Sequence, residues 1–204
     1  MIGIVDYGLG NLVSVAAAVS RLDFEPTVTV NPDVLADCDK IILPGVGAFG
    51  DGMRNLAERS LIEPLRRIVV DEGKPILGIC LGAQLISNAS DEFGVSSGLG
   101  WIDAHCRKLT SNDPSFKVPH VGWNNLIQKK DDPIFCNIPD DALFYYVHSY
   151  YVDPSNDDLV IGECEYGSRV TSVLRYRNIY ATQFHPEKSQ RHGLTLLQNF
   201  LTGA

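Results

Sequence analysis

A cysteine lies between two glycines in the segment GICLG at residues 78–82. This order has the form G-x-nucleophile-x-G, in which a strand turns sharply into a helix and presents the central side chain at the strand end. The glycines let strand and helix approach closely, and a helix N-terminus favours a thiolate. The pattern predicts that Cys80 is a nucleophile and that the amide of Leu81 faces an oxyanion. A buried structural cysteine in a glycine-rich turn is the plainer alternative.

A cysteine nucleophile requires a base, and the base requires a group that holds it in place. Among the five histidines, His185 is the best candidate because it follows a predicted strand at 179–183. Glu187 lies two residues later, across the stiff Pro186. We therefore predict that Cys80, His185 and Glu187 converge, with the sulfur within about 4 Å of an imidazole nitrogen. On spacing alone, a simple polar turn at 185–187 explains the pattern equally well.

A glycine-rich segment, PGVGAFG at 44–50, follows another predicted strand. Its glycines leave backbone N–H groups free to face a ligand. Beside the cysteine turn, this loop is expected to supply a second oxyanion donor, although alone the pattern is also typical of a flexible strand-to-helix loop.

Short apolar strands alternate with helical segments over the first 90 residues. Strands are predicted at 2–5, 26–30, 40–43 and 75–79, and helices at 12–22, 61–71 and 81–88. Such alternation is typical of βαβ units with a parallel sheet covered on both faces. Beyond residue 101, strands are predicted at 102–108, 143–147, 160–164, 171–175 and 179–183, turns at 112–114 and 154–156, and a last helix at 193–201. We expect one α/β domain over residues 1–204, with a mainly parallel central sheet and a mixed or antiparallel second half.

The composition argues against several classes of protein. Of 204 residues, 45% are hydrophobic and 21% are charged, which is typical of a chain that buries a core. The net charge of −8, without a basic face, argues against a nucleic-acid partner. No apolar run is long enough for a membrane span, and the first residues form a predicted core strand rather than a signal peptide. Five widely spaced cysteines indicate neither a disulfide framework nor a zinc site and favour the cytoplasm.

The remaining histidines receive plainer interpretations. His105 has no companion at metal-ligand spacing, His120 is expected to be structural or interfacial, and His192 is expected to be a surface residue at the start of the last helix. We therefore expect no metal site and no cofactor.

Together these motifs resemble those of the class I, or triad, glutamine amidotransferases. The segments GICLGAQ at 78–84 and QFHPEK at 183–188 are similar to the nucleophile motif and the His/Glu motif of that family. Within the family, the chain is most similar to the glutaminase subunits of imidazole glycerol phosphate synthases, through segments 6–11, 43–50, 119–124 and 146–150. The resemblance runs essentially end to end and implies the family's flavodoxin-like fold.

The resemblance implies that the chain hydrolyses L-glutamine to glutamate and ammonia. Cys80 would attack the side-chain amide and form a γ-glutamyl thioester. His185 would protonate the departing ammonia and then activate water, while Glu187 would orient His185.

The same resemblance implies an oxyanion hole and a glutamine site. The oxyanion hole would combine the amide of Leu81 with one from Gly45 or Val46, in a loop that rearranges when a partner binds. Residues matching positions that contact glutamine are Gly47, Gln84, His148, Ser149 and Tyr150. On the sequence alone, Gln84 is also explained as a polar residue on an exposed helix.

The partner that the resemblance implies is a (βα)₈-barrel cyclase, in a heterodimer that carries out a step of histidine biosynthesis. Ammonia would pass to the cyclase, which makes imidazole glycerol phosphate and an aminoimidazole carboxamide ribotide. Asn11, Tyr145 and Lys188 match positions where that family meets its partner, although strand packing explains Tyr145 and a solvated charge explains Lys188. A complementary basic rim on the partner would speed association with this acidic chain, and the isolated chain is expected to be a weak glutaminase.

Three alternatives stay open on the sequence alone. A paralogous glutaminase subunit would feed ammonia to a sugar amidotransferase for surface polysaccharides, and residues 111–118 and 145–151 fit either type. A cysteine hydrolase of the same fold group would lack a glutamate beside the histidine. A dinucleotide-binding module would use Gly8 and Gly10, but Val13 stands where the third glycine belongs.

Overall fold

The computed structural model describes residues 1–111 and 116–203, so the turn predicted at 112–114 and part of the 111–118 region lie outside the described residues. The helices are α1 (Leu12–Arg21), α2 (Pro32–Asp37), α3 (Phe49–Glu58), α4 (Ile62–Arg66), α5 (Leu81–Leu85) and α6 (Gln190–Thr202), with 3₁₀ turns at Pro133–Phe135, Asp157–Leu159 and Pro186–Lys188. In the part of the chain that the structure describes, no helix is long and apolar enough to cross a membrane.

The strands follow the chain in two halves. The first are β1 (Ile2–Val5), β2 (Pro26–Thr29), β3 (Lys40–Leu43), β4 (Ile76–Ile79), β5 (Ala89–Ser90), β6 (Ser96–Ser97) and β7 (Ala104–Lys108). The second are β8 (His120–Asn125), β9 (Ile127–Gln128), β10 (Leu143–His148), β11 (Tyr150–Pro154), β12 (Val160–Glu165), β13 (Arg169–Tyr176) and β14 (Ile179–Thr182).

An eight-stranded sheet with the order β2-β1-β3-β4-β14-β13-β12-β9 forms the centre of the molecule. The strands from β2 to β14 pair in parallel, and those from β14 to β9 pair in antiparallel fashion. The predicted α/β class, with a mainly parallel first half and a mixed second half, is confirmed. Because β14 pairs directly with β4 in parallel, the two predicted site motifs follow the carboxyl ends of two neighbouring strands.

Two smaller sheets flank this centre. One has the order β11-β7-β5-β6, and the other pairs β8 with β10 in antiparallel register, so that Trp123 lies opposite Tyr145 and His120 opposite His148. We call this pair the β8–β10 ribbon. Its side chains alternate between buried and exposed, which leaves one face of the ribbon toward the core and one toward solvent.

The central sheet separates two hydrophobic cores. On β3, Ile42 packs into one core with side chains of α1 and α6, while Ile41 and Leu43 pack into the other with side chains of α2, α3 and α4. The alternation along a single strand is what a sheet covered on both faces requires.

Several element boundaries differ from the predictions. The helix predicted at 61–71 is α-helical only to Arg66 and continues as a π-helical turn, in which the amide of Glu72 donates to the carbonyl of Arg67 over 2.9 Å. The helix predicted at 81–88 ends at Leu85, where the Ser87 hydroxyl caps the carbonyl of Gln84 over 2.7 Å. The last helix starts at Gln190 rather than at 193, so His192 lies within it.

Four longer elements were not predicted: α2, α3, β8 and β11. Helix α3 contains Gly50 and Gly52, which weaken a helix signal. Gly52 nevertheless packs closely against α5, because an added Cβ atom would lie 3.0 Å from the Leu85 side chain. Tertiary packing therefore overrides local propensity in this segment.

The close approach of α5 to β3 depends on Gly82, and we expect Gly82→Ala to destabilise the fold. An added Cβ atom would lie 2.8 Å from the Leu43 carbonyl carbon and would overlap its oxygen. Because this neighbour is backbone, the free energy of unfolding should fall by about 2–4 kcal/mol, measured by urea denaturation.

Gly50→Ala in α3 is the matched control. Its Cβ atom would meet only the Ser96 hydroxyl at 3.4 Å. Its free energy of unfolding should stay within about 1 kcal/mol of wild type. Equal stability of the two variants would show that the β3–α5 approach does not require glycine.

Candidate functional site

Cys80 occupies a strained turn at the point where β4 ends and α5 begins. Its backbone dihedrals are φ 53° and ψ −107°, a region that side-chain-bearing residues rarely adopt. The amide of Cys80 donates to the carbonyl of Thr182 over 2.8 Å, which ties the turn to β14. Gly78 and Gly82 leave no room for a Cβ atom, since Ala83 and Leu43 pack against them. The predicted strand–turn–helix geometry around the cysteine is therefore present.

His185 and Glu187 lie just beyond the end of the neighbouring strand. The two side chains are 2% and 1% exposed, and His185 Nδ1 lies 2.8 Å from Glu187 Oε1. The amide of His185 donates to the carbonyl of Tyr145 on the β8–β10 ribbon, and its carbonyl accepts from the Ser189 hydroxyl over 2.6 Å. Hydrogen bonds therefore hold His185 in place through both its backbone and its imidazole ring.

Cys80 and His185 line the same cleft. His185 Nε2 is buried and has no hydrogen-bond partner among the described residues, and the side chain lines the cleft together with Cys80. Burial alone would lower the pKa of His185, but its interactions with Cys80 and Glu187 together outweigh burial and raise that pKa to about 9. The separation of about 4 Å stays a prediction.

The cleft has a volume of about 350 Å³, which suits a small polar molecule. The predicted site residues that line it are Val46, Gly47, Cys80, Leu81, Gln84, His148, Ser149, Tyr150 and His185. Gln84 is buried rather than exposed, since its amide donates to the carbonyl of Tyr150 over 2.8 Å. Leu81 is the first residue of α5, so its amide has no acceptor within the helix.

Gly45 lies behind the cleft, against Tyr7. An added Cβ atom at Gly45 would overlap the Tyr7 hydroxyl and would lie 2.7 Å from the Leu81 side chain. Burial raises the pKa of Tyr7, and the nearby Cys80 adds to this increase. Val46 and Gly47, by contrast, are exposed at the mouth of the cleft. The 44–47 loop therefore packs against the cysteine turn at the buried Gly45, whereas Val46 and Gly47 face solvent.

Glu92, which lines the cleft, and Gln183, which contacts Cys80, were not predicted as site residues. Glu92 is the only acidic side chain among the described residues that line the cleft, and it accepts from the amide of Phe49 over 2.7 Å. Gln183 directs its amide nitrogen at Cys80 Sγ over 3.8 Å and its oxygen at Gln84. Gln183 precedes the histidine motif and was within reach of sequence reasoning, whereas nothing local marks Glu92.

The three predicted partner residues lie outside the cleft. Asn11 caps α1 through its side-chain oxygen, which accepts from the amide of Ser14. Tyr145 is half-buried on the β8–β10 ribbon, with its ring 5.9 Å from that of Trp123. Lys188 follows the histidine motif, and its amide donates to the carbonyl of His185.

A larger groove, of about 640 Å³, lies between α1 and α6. Among the described residues its lining includes Arg21 and Arg191, but no cysteine, histidine or carboxylate. The smaller cleft, which brings together a thiol, an imidazole and a carboxylate, is therefore the candidate active site.

Comparison with known protein families points to one family over nearly the whole chain. Residues 3–204 match the family model described as glutamine amidotransferase class-I. Imidazole glycerol phosphate synthase subunit HisH of Geobacter sulfurreducens is 45% identical over 203 residues, which cover 98% of this chain and 97% of that protein. Subunit HisH 2 of Methanococcus maripaludis is 41% identical, with both chains covered completely.

The solved structures that resemble this chain share its fold at low sequence identity. PurLQS from Thermotoga maritima matches with a TM-score of 0.74 and 21% identity, covering 98% of this chain and 96% of that one. The glutaminase domain of CTPS from Trypanosoma brucei matches with a TM-score of 0.66 and 15% identity, covering 98% and 93% of the two chains.

We expect Glu187→Gln to lower the pKa of His185. The carboxylate stabilises the protonated ring, so its loss should lower that pKa from about 9 by about one unit or more. His185 would then lose its proton at a lower pH, which an NMR titration of the ring measures. Glu72→Gln, which changes an exposed carboxylate at the opposite end of β4, is the control; identical titrations in both variants would contradict the assigned pairing.

Proposed function

This chain belongs to the class-I glutamine amidotransferase family, and we propose that it is the glutamine-hydrolysing subunit of an imidazole glycerol phosphate synthase, with residues 1–204 forming one amidotransferase domain. One observation carries the catalytic assignment: a buried imidazole, held by a carboxylate at 2.8 Å, shares a cleft with a cysteine on a strained turn. The relatives at 41–45% identity over nearly their full length support the choice of subunit.

The reaction begins after the Cys80 thiol has transferred its proton to His185, and the raised pKa of His185 favours this state. The sulfur attacks the carboxamide carbon of glutamine, and the carbonyl π electrons move to oxygen, giving a tetrahedral oxyanion. His185 then donates its proton to the nitrogen as the C–N bond breaks and ammonia leaves. The product of this half-reaction is a γ-glutamyl thioester on Cys80.

Water completes the cycle. His185, now neutral, accepts a proton from water as the oxygen attacks the thioester carbon. The C–S bond then breaks, glutamate leaves, and the proton on His185 again balances the thiolate. Glu187 keeps Nδ1 occupied throughout, so that Nε2 is the nitrogen that exchanges protons with the cleft.

The oxyanion is stabilised by backbone amides. The Leu81 N–H is available because it begins a helix. The second donor comes from the loop that contains Gly45 and Val46, after a rearrangement that turns an amide of this loop toward the cysteine. Such a requirement would keep the subunit weakly active until its partner binds.

Glutamine binds with its side chain at Cys80 and its α-amino acid group at the open end of the cleft. The carboxylate of Glu92 is placed to pair with the α-ammonium group, which is the charge complement that an amino-acid substrate needs. Gly47, Gln84 and the segment 148–150 border the rest of the molecule.

The partner is a cyclase subunit, and we assign it the (βα)₈-barrel fold. The solvent face of the β8–β10 ribbon carries Val121, Trp123 and Leu143, which are 57%, 46% and 46% exposed. Tyr145 lies among them, and Val147 continues the same face into the cleft. An exposed apolar face that leads to the nucleophile is suited to a docking surface that receives ammonia directly. Asn11 and Lys188 complete the proposed contact.

We place the protein in the cytoplasm. All five cysteines are free, and four of them are buried in the structure without pairing. Unpaired thiols, one of them catalytic, are maintained in a reducing compartment.

The decisive experiment is a glutaminase assay of the chain alone and with a purified cyclase subunit. Wild type should be weakly active alone and strongly activated in the complex. Cys80→Ala should lose about 10⁴-fold or more of glutamine-dependent synthesis, whereas synthesis from ammonium salts should persist. Equal loss of both activities would make Cys80 structural, and activation only by a sugar amidotransferase would reassign the acceptor to the polysaccharide alternative.

Trp123→Ala should weaken binding to the cyclase. Truncation of a central aromatic anchor typically costs about 2 kcal/mol or more, or about 30-fold in the dissociation constant measured by calorimetry. Val70→Ala is the control, because this residue is 41% exposed but lies at the opposite end of β4. Equal affinities of the two variants would remove the ribbon from the interface.

A further inference from the structure

Two buried histidines form a pair beside the cleft that the reaction above does not use. His120 begins β8 and His148 ends β10, and the two lie opposite each other in the ribbon register. They are 3% and 5% exposed, and His120 Nδ1 lies 3.1 Å from His148 Nε2. His148 lines the cleft, whereas His120 lies behind it.

The proton positions in this pair follow from the groups at one end. His148 Nδ1 lies 2.9 Å from the carbonyl oxygen of Tyr150, which can only accept a hydrogen bond. His148 must therefore carry its proton on Nδ1, which leaves its Nε2 as an acceptor. His120 must then donate from Nδ1.

The hydrogen bonds at the Asn124 end of this series require the same proton position on His120. The side-chain oxygen of Asn124 accepts from the amide of Asn125 over 2.8 Å, and its nitrogen donates to the carbonyl of Glu165 over 2.9 Å. This nitrogen also lies 3.4 Å from His120 Nε2, which therefore accepts. Both ends require His120 to be protonated on Nδ1, so the direction of every hydrogen bond in the series is fixed.

Burial keeps both rings neutral. It lowers the pKa of His120 to about 4 and that of His148 to about 3. For His148 the bond to the Tyr150 carbonyl opposes burial, while the nearby His120 and His185 reinforce it. At neutral pH each ring therefore has one donor and one acceptor, as the series of hydrogen bonds requires.

Aromatic packing holds His120 in place. Its ring stacks between those of Tyr146 and Tyr166, with centroid distances of 4.8 and 3.8 Å. The ring is thus confined on both faces, and its donor points along one direction only.

The series ends on a carbonyl that also organises the cleft. The carbonyl oxygen of Tyr150 accepts from His148 Nδ1 and from the Gln84 side chain, over 2.9 and 2.8 Å. Gln84 in turn contacts Gln183, whose amide nitrogen approaches the sulfur of Cys80. A displacement of His148 would therefore shift the Tyr150 carbonyl and Gln84, which form the cleft wall that borders glutamine.

We propose that His120 is a positioning residue for the glutamine site: its Nδ1–H fixes His148, and His148 fixes the Tyr150 carbonyl against the Gln84 amide. The inference rests on the proposed function, since the wall in question is the one assigned to glutamine. His120 touches neither the sulfur nor the substrate, so its loss should weaken glutamine binding more than it slows the chemistry.

Two substitutions separate the hydrogen bond from the packing. His120→Phe keeps a ring between Tyr146 and Tyr166 but has no donor, whereas His120→Asn keeps an N–H near the position of Nδ1 but loses the ring. In the complex with the cyclase, the KM for L-glutamine should rise about tenfold in His120→Phe, as expected for a lost hydrogen bond of about 1.4 kcal/mol. The kcat should stay within about twofold. His120→Asn should recover most of the wild-type KM.

The opposite order of KM values, or an unchanged KM in His120→Phe, would overturn the proposal, because packing alone would then explain the residue. Circular dichroism verifies that each variant still folds, and calorimetric titration with the cyclase verifies that it still binds its partner.

A second measurement does not depend on activity. Nitrogen-15 NMR of the wild-type chain should find both His120 and His148 protonated on Nδ1 at neutral pH, and a proton on Nε2 of either ring would overturn the proposal. Absence of glutaminase activity in the wild-type complex would instead refute the proposed function, and the NMR result would still decide the state of the histidine pair.

Discussion

The close approach of β3 and α5 is the constraint on which the rest of the site depends. Gly82 allows the helix to start against the backbone of Leu43, and in the turn just before it Cys80 adopts the rare combination of φ 53° and ψ −107°. Such a conformation costs about 1–3 kcal/mol for a residue with a side chain and persists only where the surroundings impose it. The hydrogen bond from Cys80 to Thr182 and the packing around Gly78 supply that restraint. The sulfur is consequently held at the sheet edge, where the imidazole and the cleft are also found.

Two histidine environments lie side by side and differ in charge. His185 is paired with a buried carboxylate and holds its proton up to about pH 9, whereas His148 is driven to the neutral form. The positive charge of His185 contributes to the low pKa of His148. A single mobile proton is therefore confined to the ring that faces the sulfur, and the neighbouring ring serves as a fixed donor and acceptor. This difference in charge suits a site in which His185 exchanges protons while His148, in the cleft wall, keeps one protonation state.

The local signals predicted the strands of the parallel half and the cysteine turn well, because each is encoded by contiguous residues. The pair of His185 and Glu187 was also predictable, since the two residues are only two positions apart and β14 was predicted as a strand. The approach of Cys80 to His185 within about 4 Å stays a prediction. The existence of α3 was not predictable in this way, because Gly52 is placed by its packing against Leu85 on α5. The boundary of α5 differs for a local reason, the hydrogen bond from the Ser87 hydroxyl to the Gln84 carbonyl. Glu92 and the pairing of His120 with His148 depend on the positions of distant strands, and a single sequence carries no local mark of them.

The strand order of the central sheet has a consequence for synthesis of the chain. Strand β14, which carries the histidine motif, is inserted between β4 and β13, although about a hundred residues separate β4 from β14 along the polypeptide. While a ribosome is still producing the middle of the chain, the thiol of Cys80 has no imidazole beside it and its turn lacks the Thr182 carbonyl. The proposed catalytic groups therefore come together only when the last strand closes the sheet, and under the proposed mechanism unfinished or truncated molecules would not consume glutamine.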